Sequence, residues 1–291
     1  MAEKSNIGWT DGTVNFWIGC TEAGPGCVFC YARELDARYQ WGMSKMTADQ
    51  NRSVGRAPHW GIGAPRHFPP AEKKLREALA WNAKAEAAGR PLKVFCNSLS
   101  DAFDNEVPAD RREVMFEAWR KTPWIRWICL TKRVPNIEKM LPNDWGAGYR
   151  NVGLVATTVD QDEFDRDEPR LLHIPAAWHG FSMEPQIDEI LLPGRLMEHP
   201  GSLWFITGGE SRQPVRGEHN GGERPYDPMW AFSLIHAALT ARSMGKSWWT
   251  FVKQMGCKPV SLPAPRDGMG KDPAEWPSPI RVQDFPPELL T

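Results

Sequence analysis

Apolar runs of strand length recur along the chain, and most of them finish in polar residues. They are TVNFWIGC (13–20), LKVFCNSLSD (92–101), WIRWICLTKR (124–133), NVGLVATTVD (151–160), AWHGFSMEP (177–185), SLWFITGGES (202–211) and KSWWTFVKQ (246–254). All are rich in β-branched or aromatic residues, as strands buried on both faces are. Between several of them lie segments with helical punctuation, namely PPAEKKLREALAWNAKAEAAG, PADRREVMFEAWRK and PYDPMWAFSLIHAALTARSMG. Proline opens each and glycine closes two, as helix starts and stops require. Strand and helix alternate, which predicts an α/β fold with a parallel sheet. About seven strands in this length of chain suit a partial or complete TIM-type barrel. Residues 1–258 form the expected barrel domain. Residues 259–291 are Pro-rich and predict an irregular extension packed on its surface.

In a parallel barrel the C-terminal strand ends share one rim, and active sites sit there. The polar ends here are Cys20; Asn97, Ser98 and Asp101; Thr131, Lys132 and Arg133; Thr157, Thr158 and Asp160; Glu184; Glu210; and Lys253 with Gln254. They predict one mouth lined from many strands. Residues 42–70 lack periodicity and read as a long loop at that mouth, and residues 212–228 as a second, Gly-rich one.

Composition narrows the setting. Lys plus Arg number 35 against 36 Asp plus Glu, so net charge of −1 does not advertise a nucleic-acid or membrane partner. The N-terminus lacks the basic and apolar regions of a signal peptide, and no run of about 18 apolar residues occurs, which predicts a cytoplasmic protein without a membrane span. Cysteine clusters in that reducing compartment point to metal or redox chemistry rather than disulfides.

The cluster is GCTEAGPGCVFCYA, residues 19–32, with six residues between Cys20 and Cys27 and two between Cys27 and Cys30. A structural zinc site wants four ligands, and here there is one CxxC and no fourth partner nearby. A zinc deaminase needs a His-x-Glu upstream of its cysteines, and no histidine precedes His59. Three thiolates on a four-iron, four-sulfur cluster leave one iron open to a small chelating molecule. S-adenosylmethionine chelates such an iron through its amino and carboxylate groups, and an electron from the cluster then cleaves its sulfonium to a radical. Iron–sulfur is the favoured reading, with zinc the alternative. Phe29 suits an apolar wall beside the cluster. Cys96, Cys129 and Cys257 stand alone and read as structural, and the seven histidines show no ligand spacing.

The opening NIGWTDGTVNFWIGCTEAGPGCVFCYA resembles the start of a phage-borne, three-cysteine, radical-SAM-like family of largely unknown function, distantly similar to spore photoproduct lyase. The likeness continues in register through VFCNSLSDAFDNEVP, CLTKR, NVGLVATTVDQ, SMEP, ITGGES and FVKQMG, over roughly residues 6–256. It implies a barrel of the radical SAM kind, Cys20, Cys27 and Cys30 as cluster ligands, and an electron donor of the flavodoxin or ferredoxin sort. It implies cofactor contacts from Phe29, Tyr31, Asn97, Ser98, Asp101 and Gln254, and from Gly208, Gly209 and Glu210 as a Gly-Gly-Glu holding the methionine end of SAM. In related enzymes that motif usually follows an earlier strand. Glu184, Lys132, Arg133 and Lys253 are the expected catalytic rim. Thr157, Thr158 and Val159 stand where members commonly carry Ser-Val-Glu, which implies a reshaped corner of the pocket.

Similarity to an enzyme of thymine lesions implies a nucleobase substrate, with a modified thymine in phage DNA as the expected target. Arg52, Arg56, His59, Trp60, Arg66 and His67 in one loop, and Arg212, Arg216, Arg224 and Tyr226 in the other, are the expected grip on a phosphate backbone. Solvated loops closing over a small molecule are the simpler alternative. The rival from another class is a non-enzymatic iron–sulfur partner protein of a phage or defence system, and a second enzyme reading is metal-dependent hydrolysis at Asp101, Glu184 and Glu210.

Overall fold

The computed structural model describes residues 5–211 and 223–291. Seven strands form one sheet, β1 (Gly12–Val14), β2 (Leu92–Cys96), β3 (Ile125–Thr131), β4 (Val152–Thr157), β5 (His179–Met183), β6 (Leu203–Gly208) and β7 (Trp248–Gln254). They are ordered as in the sequence and every pair is parallel. The sheet is curled into a half-barrel, the architecture that alternating strands and helices predict. The helices are α1 (Tyr31–Tyr39), α2 (Lys45–Ser53), α3 (Ala71–Ala87), α4 (Ala109–Lys121), α5 (Ile137–Met140), α6 (Gln161–His173) and α7 (Pro228–Ser243). Among the described residues no helix is long and apolar enough to cross a membrane.

Successive side chains on a strand point to opposite faces, and the two faces carry different cores. Outward residues Val94, Cys96, Trp127, Cys129, Leu154, Ala156, Phe181, Met183 and Phe205 join helix residues such as Met115, Trp119 and Phe164. Inward residues Phe95, Ile128, Val155, Trp204, Ile206 and Phe251 form a second cluster with Trp9 and Trp178. Continuing each inward column toward the C-terminal end reaches Leu130 and Lys132, Thr157, Ser182 and Glu184, and Lys253, so the lumen turns from apolar to polar along its length.

Two elements depart from the sequence reading. The run 13–20 contributes only Thr13 and Val14 to the sheet; Phe16 and Trp17 are still buried, but in a bent segment. Inside the expected loop 42–70, residues 45–53 form α2, whose start is capped by Ser44 Oγ accepting from the Thr47 N–H.

The Pro-rich extension pairs with the sheet. Val252 N–H donates to Val282 O and Asp284 N–H to Thr250 O, at 2.8 and 2.9 Å, so residues 282–284 cover the outer edge of β7. Phe285 and Leu289 then enter the lumen cluster, and Arg126 donates to the carbonyl of Glu288.

Candidate functional site

The cysteine loop is delivered to the mouth by close backbone contacts. Gly19 has φ +113°, and a Cβ there would lie 2.4 Å from the His59 carbonyl oxygen, so only glycine lets the chain pass. Bridges Ile18–His67 and Cys20–Trp60 dock the loop on the 59–67 segment. That segment is itself fixed by buried His59, whose N–H and Nδ1 both meet Asp36, at 2.9 and 2.7 Å. Farther on, a Cβ on Gly24 would strike the Glu163 carboxylate at 2.2 Å and one on Gly26 would meet Val159 at 2.7 Å. Cys27 closes a short 3-10 turn, and Cys30 immediately precedes α1, its side chain making no capping hydrogen bond.

All three thiols line one cavity of about 680 Å³ at the C-terminal mouth, a volume suited to a small molecule. Each has donors beside it. Arg133 Nη1 donates to Cys20 Sγ and the Ala23 N–H to Cys27 Sγ, both at 3.5 Å. Burial pushes the Cys20 thiol up to about 12, with Asp101 adding to the rise and Arg133 opposing it. Burial likewise raises Cys30, against the N–H groups of Arg33 and Ala32 at the start of α1. Among the described residues no three His, Cys, Asp or Glu converge as ligands of a single ion would.

Asp101 organises the rim next to the cysteines. Its Oδ1 accepts from Phe103 N–H and Thr131 Oγ1, and its Oδ2 from Lys132 N–H and Arg133 Nη1, at 2.7 to 3.0 Å. Arg133 Nη2 in turn donates to the Thr21 carbonyl at 2.6 Å. Burial works against the Arg133 charge, but Asp101, Cys20 and Asp104 outweigh it and its pKa rises. Asp101 therefore holds a guanidinium against Cys20. Tyr31, whose pKa burial raises, donates from its hydroxyl to the Ser98 carbonyl at 2.7 Å. Ser98 Oγ accepts from Asn15, while Asn97, at φ +60°, accepts the Phe16 N–H. These residues tie the ends of β1 and β2 to α1.

Across the mouth stand Glu184 and Lys253, paired at 2.9 Å. The ladder between β6 and β7 steps from Thr207–Val252 to Gly208–Gln254, leaving Lys253 as the bulged residue. Such a bulge re-aims side chains, and Lys253 and Gln254 consecutively face the cavity. Glu184 Oε2 also accepts from Trp9 Nε1 and Ser182 Oγ, each at 3.2 Å. Gln254 Nε2 donates to the Gly209 carbonyl and to Ser211 Oγ, at 2.7 Å each, and its buried Oε1 has no hydrogen-bond partner among the described residues.

Other expected site residues lie elsewhere. Gly208 and Gly209 are close-packed on β7: a Cβ on Gly209 would lie 2.7 Å from the Met255 carbonyl oxygen and 2.9 Å from Gly256 Cα. Glu210 is buried in an ion pair with Arg224, which also donates through its backbone N–H at 2.7 Å. Neither those glycines, Glu210 nor Phe29 lines the cavity; Phe29 instead lies under the Arg224 guanidinium. Of the expected backbone grip, Arg66 is buried and paired with Asp104 at 2.8 Å, and His59 is buried on Asp36. Trp60 lines the cavity. Tyr226 is fully buried, its hydroxyl on Thr207. Arg212 and Arg216 lie outside the described residues.

Trp9, Arg38 and Lys271 are among the lining residues that were not anticipated. Trp9 sits in the quoted opening motif, and its indole N–H needed a buried acceptor, which was the available signal. Arg38 and Lys271 carried none. In all, Arg38, Lys132, Arg133, Lys253 and Lys271 line the cavity against two carboxylates, Asp101 and Glu184.

Residues 4–262 match the model of a family described as "Protein of unknown function (DUF5131)", and the chain belongs to that family. No curated protein and no solved structure matches it.

Proposed function

We propose that this member of the family is a radical SAM enzyme. In this reading Cys20, Cys27 and Cys30 hold a four-iron, four-sulfur cluster on the radical-SAM kind of barrel, and the substrate is a nucleobase, a modified thymine of phage DNA. The observation that carries it is that all three thiols line the mouth cavity, together with strand-end residues from β2 to β7. When bound, such a cluster would offer one iron to S-adenosylmethionine and supply the electron that breaks its carbon–sulfur bond.

The chain's own groups suit that chemistry. N–H and guanidinium donors beside the sulfurs oppose the burial that disfavours their thiolates, the ligating form. Asp101 positions Arg133 and lets its charge act at Cys20. The Glu184–Lys253 pair offers an acceptor and a donor on the opposite wall, with Trp9 fixing the carboxylate. The apolar lumen beneath, from Trp9 to Phe251, keeps water from the floor of the site. An excess of cations over carboxylates suits anionic ligands.

The test is anaerobic reconstitution with iron and sulfide. It should yield brown protein with absorbance at about 400 nm, as iron–sulfur proteins show, and reductant with S-adenosylmethionine should release 5′-deoxyadenosine. Colourless protein holding stoichiometric zinc overturns the cluster, and a cluster that neither binds nor cleaves S-adenosylmethionine leaves an iron–sulfur partner protein. For the substrate, DNA binding should weaken steeply from about 50 to 200 mM salt. Changing half-buried Arg52 and exposed Arg56 together to Ala should flatten that slope.

A further inference from the structure

The tail brings a lysine into the mouth. Asp267 Oδ1 and Oδ2 accept the N–H groups of Met269, Gly270 and Lys271 at 2.6 to 3.0 Å, winding residues 267–271 into a tight loop. The Gly270 carbonyl is then taken by the Met255 N–H at 2.8 Å and by Trp276 Nε1 at 2.9 Å, which anchors the loop just past the end of β7. A Cβ on Gly270 would lie 2.9 Å from the Gly256 carbonyl oxygen, so the backbone approach is close. From this anchor Met269 and Lys271 both line the cavity that holds the cysteines.

Lys271 forms no ion pair among the described residues, although many other lysines and arginines do. Burial and the neighbouring Lys253 charge lower its pKa, with Asp267 opposing them. Lys253 already has Glu184, and Lys132, on the other side of the mouth, likewise has no ion pair among the described residues. A lysine held by a rigid loop, partly desolvated and beside a second cation, is an arrangement a bound anion would stabilise.

We infer that the C-terminal segment completes the substrate site, and that Lys271 with Lys253 receives an anionic phosphate of the substrate at the β7 end of the mouth. The identity of the ligand rests on the nucleobase reading, and its place rests on the geometry alone. A phosphate there leaves the attached base free to reach toward the cysteine wall. The same phosphate chemistry could come from a free nucleotide or from a polynucleotide backbone.

The experiment is equilibrium binding to the full chain, with and without cluster, using thymidine 5′-monophosphate, thymidine and a short thymidylate oligonucleotide as probes. Because binding is read without turnover, failure of S-adenosylmethionine cleavage counts against the radical reading and leaves this inference standing or falling by itself. The monophosphate should bind at least about tenfold more tightly than thymidine, the scale of one charge-assisted contact. Lys271→Met should erase that difference while leaving the circular dichroism unchanged, and Lys271→Arg should restore much of it. An oligonucleotide showing the same Lys271 dependence and tighter binding than the monophosphate identifies the polymer as source; weaker binding identifies the free nucleotide. Equal affinity for monophosphate and thymidine, or a Lys271→Met loss shared equally by both, overturns the inference.

Discussion

The two glycine-rich stretches of this protein, around Cys20 to Cys30 and around Gly208 to Glu210, use glycine for different ends. In the first, Gly19, Gly24 and Gly26 let a loop lie against His59, Glu163 and Val159, and the loop's reactive groups then face the cavity. In the second, Gly208 and Gly209 let two backbones touch, and the adjacent carboxylate is consumed by Arg224. The difference teaches that a Gly-Gly-acid motif reads the same whether its glycines make room for a ligand or for a neighbouring strand. Only the cross-chain partner decides.

The comparison breaks first at the cysteines. Cys30→Ala should reduce bound iron after anaerobic reconstitution from about four atoms per chain to none, measured by iron assay on folded protein; retention of full iron would remove that loop from the site.

Acid probes the scaffold beneath both stretches. Burial lowers the His179 pKa to about 4, with Nε2–H donating to the Ile174 carbonyl at 2.8 Å. Its folded pKa lies below the unfolded value of about 6.5, so the unfolded chain takes up the proton first. Stability should therefore fall by about 3 kcal/mol as pH drops from about 6.5 to about 4. Urea titrations should show this fall, and His179→Gln should flatten it.

At the second stretch, Gly209→Ala should cost about 2 kcal/mol through its clash with Met255 and Gly256, read in urea midpoints. S-adenosylmethionine affinity should stay within about twofold, a shift below about 0.5 kcal/mol. The smallest effect belongs to Glu210→Gln, about 1 kcal/mol, because Arg224 is partly solvated and the remaining amide oxygen can still accept from it. If Glu210→Gln instead abolished S-adenosylmethionine binding at unchanged stability, the two stretches would share one role.

Six of the seven strands were legible because their faces are largely buried, leaving apolar runs such as LWFITG. The bent course after Val14 was not, since Phe16 and Trp17 are as apolar as a strand and as buried. Helix α2 was hidden for the opposite reason: its buried positions include Ala48 and Asn51, so hydrophobic periodicity is faint. Within the site, Cys20, Cys27 and Cys30 were marked by their spacing, and Glu184 and Lys253 by their place at strand ends. Lys271 was not, because a Pro-rich segment has no period from which to infer where it lands.

Residues 282–284 form the sheet's final border, and they leave the ribosome after every strand they border. Until they arrive, β7 presents open amide and carbonyl groups of the kind that recruit foreign strands, and the lumen lacks Phe285 and Leu289. A nascent chain halted before these residues would thus combine a finished cysteine loop with an adhesive edge. Quality control can sense that state, since proteases and chaperones act on exposed edges and apolar surface. Synthesis order thereby couples completion of the lumen to colloidal safety, through one short antiparallel pairing.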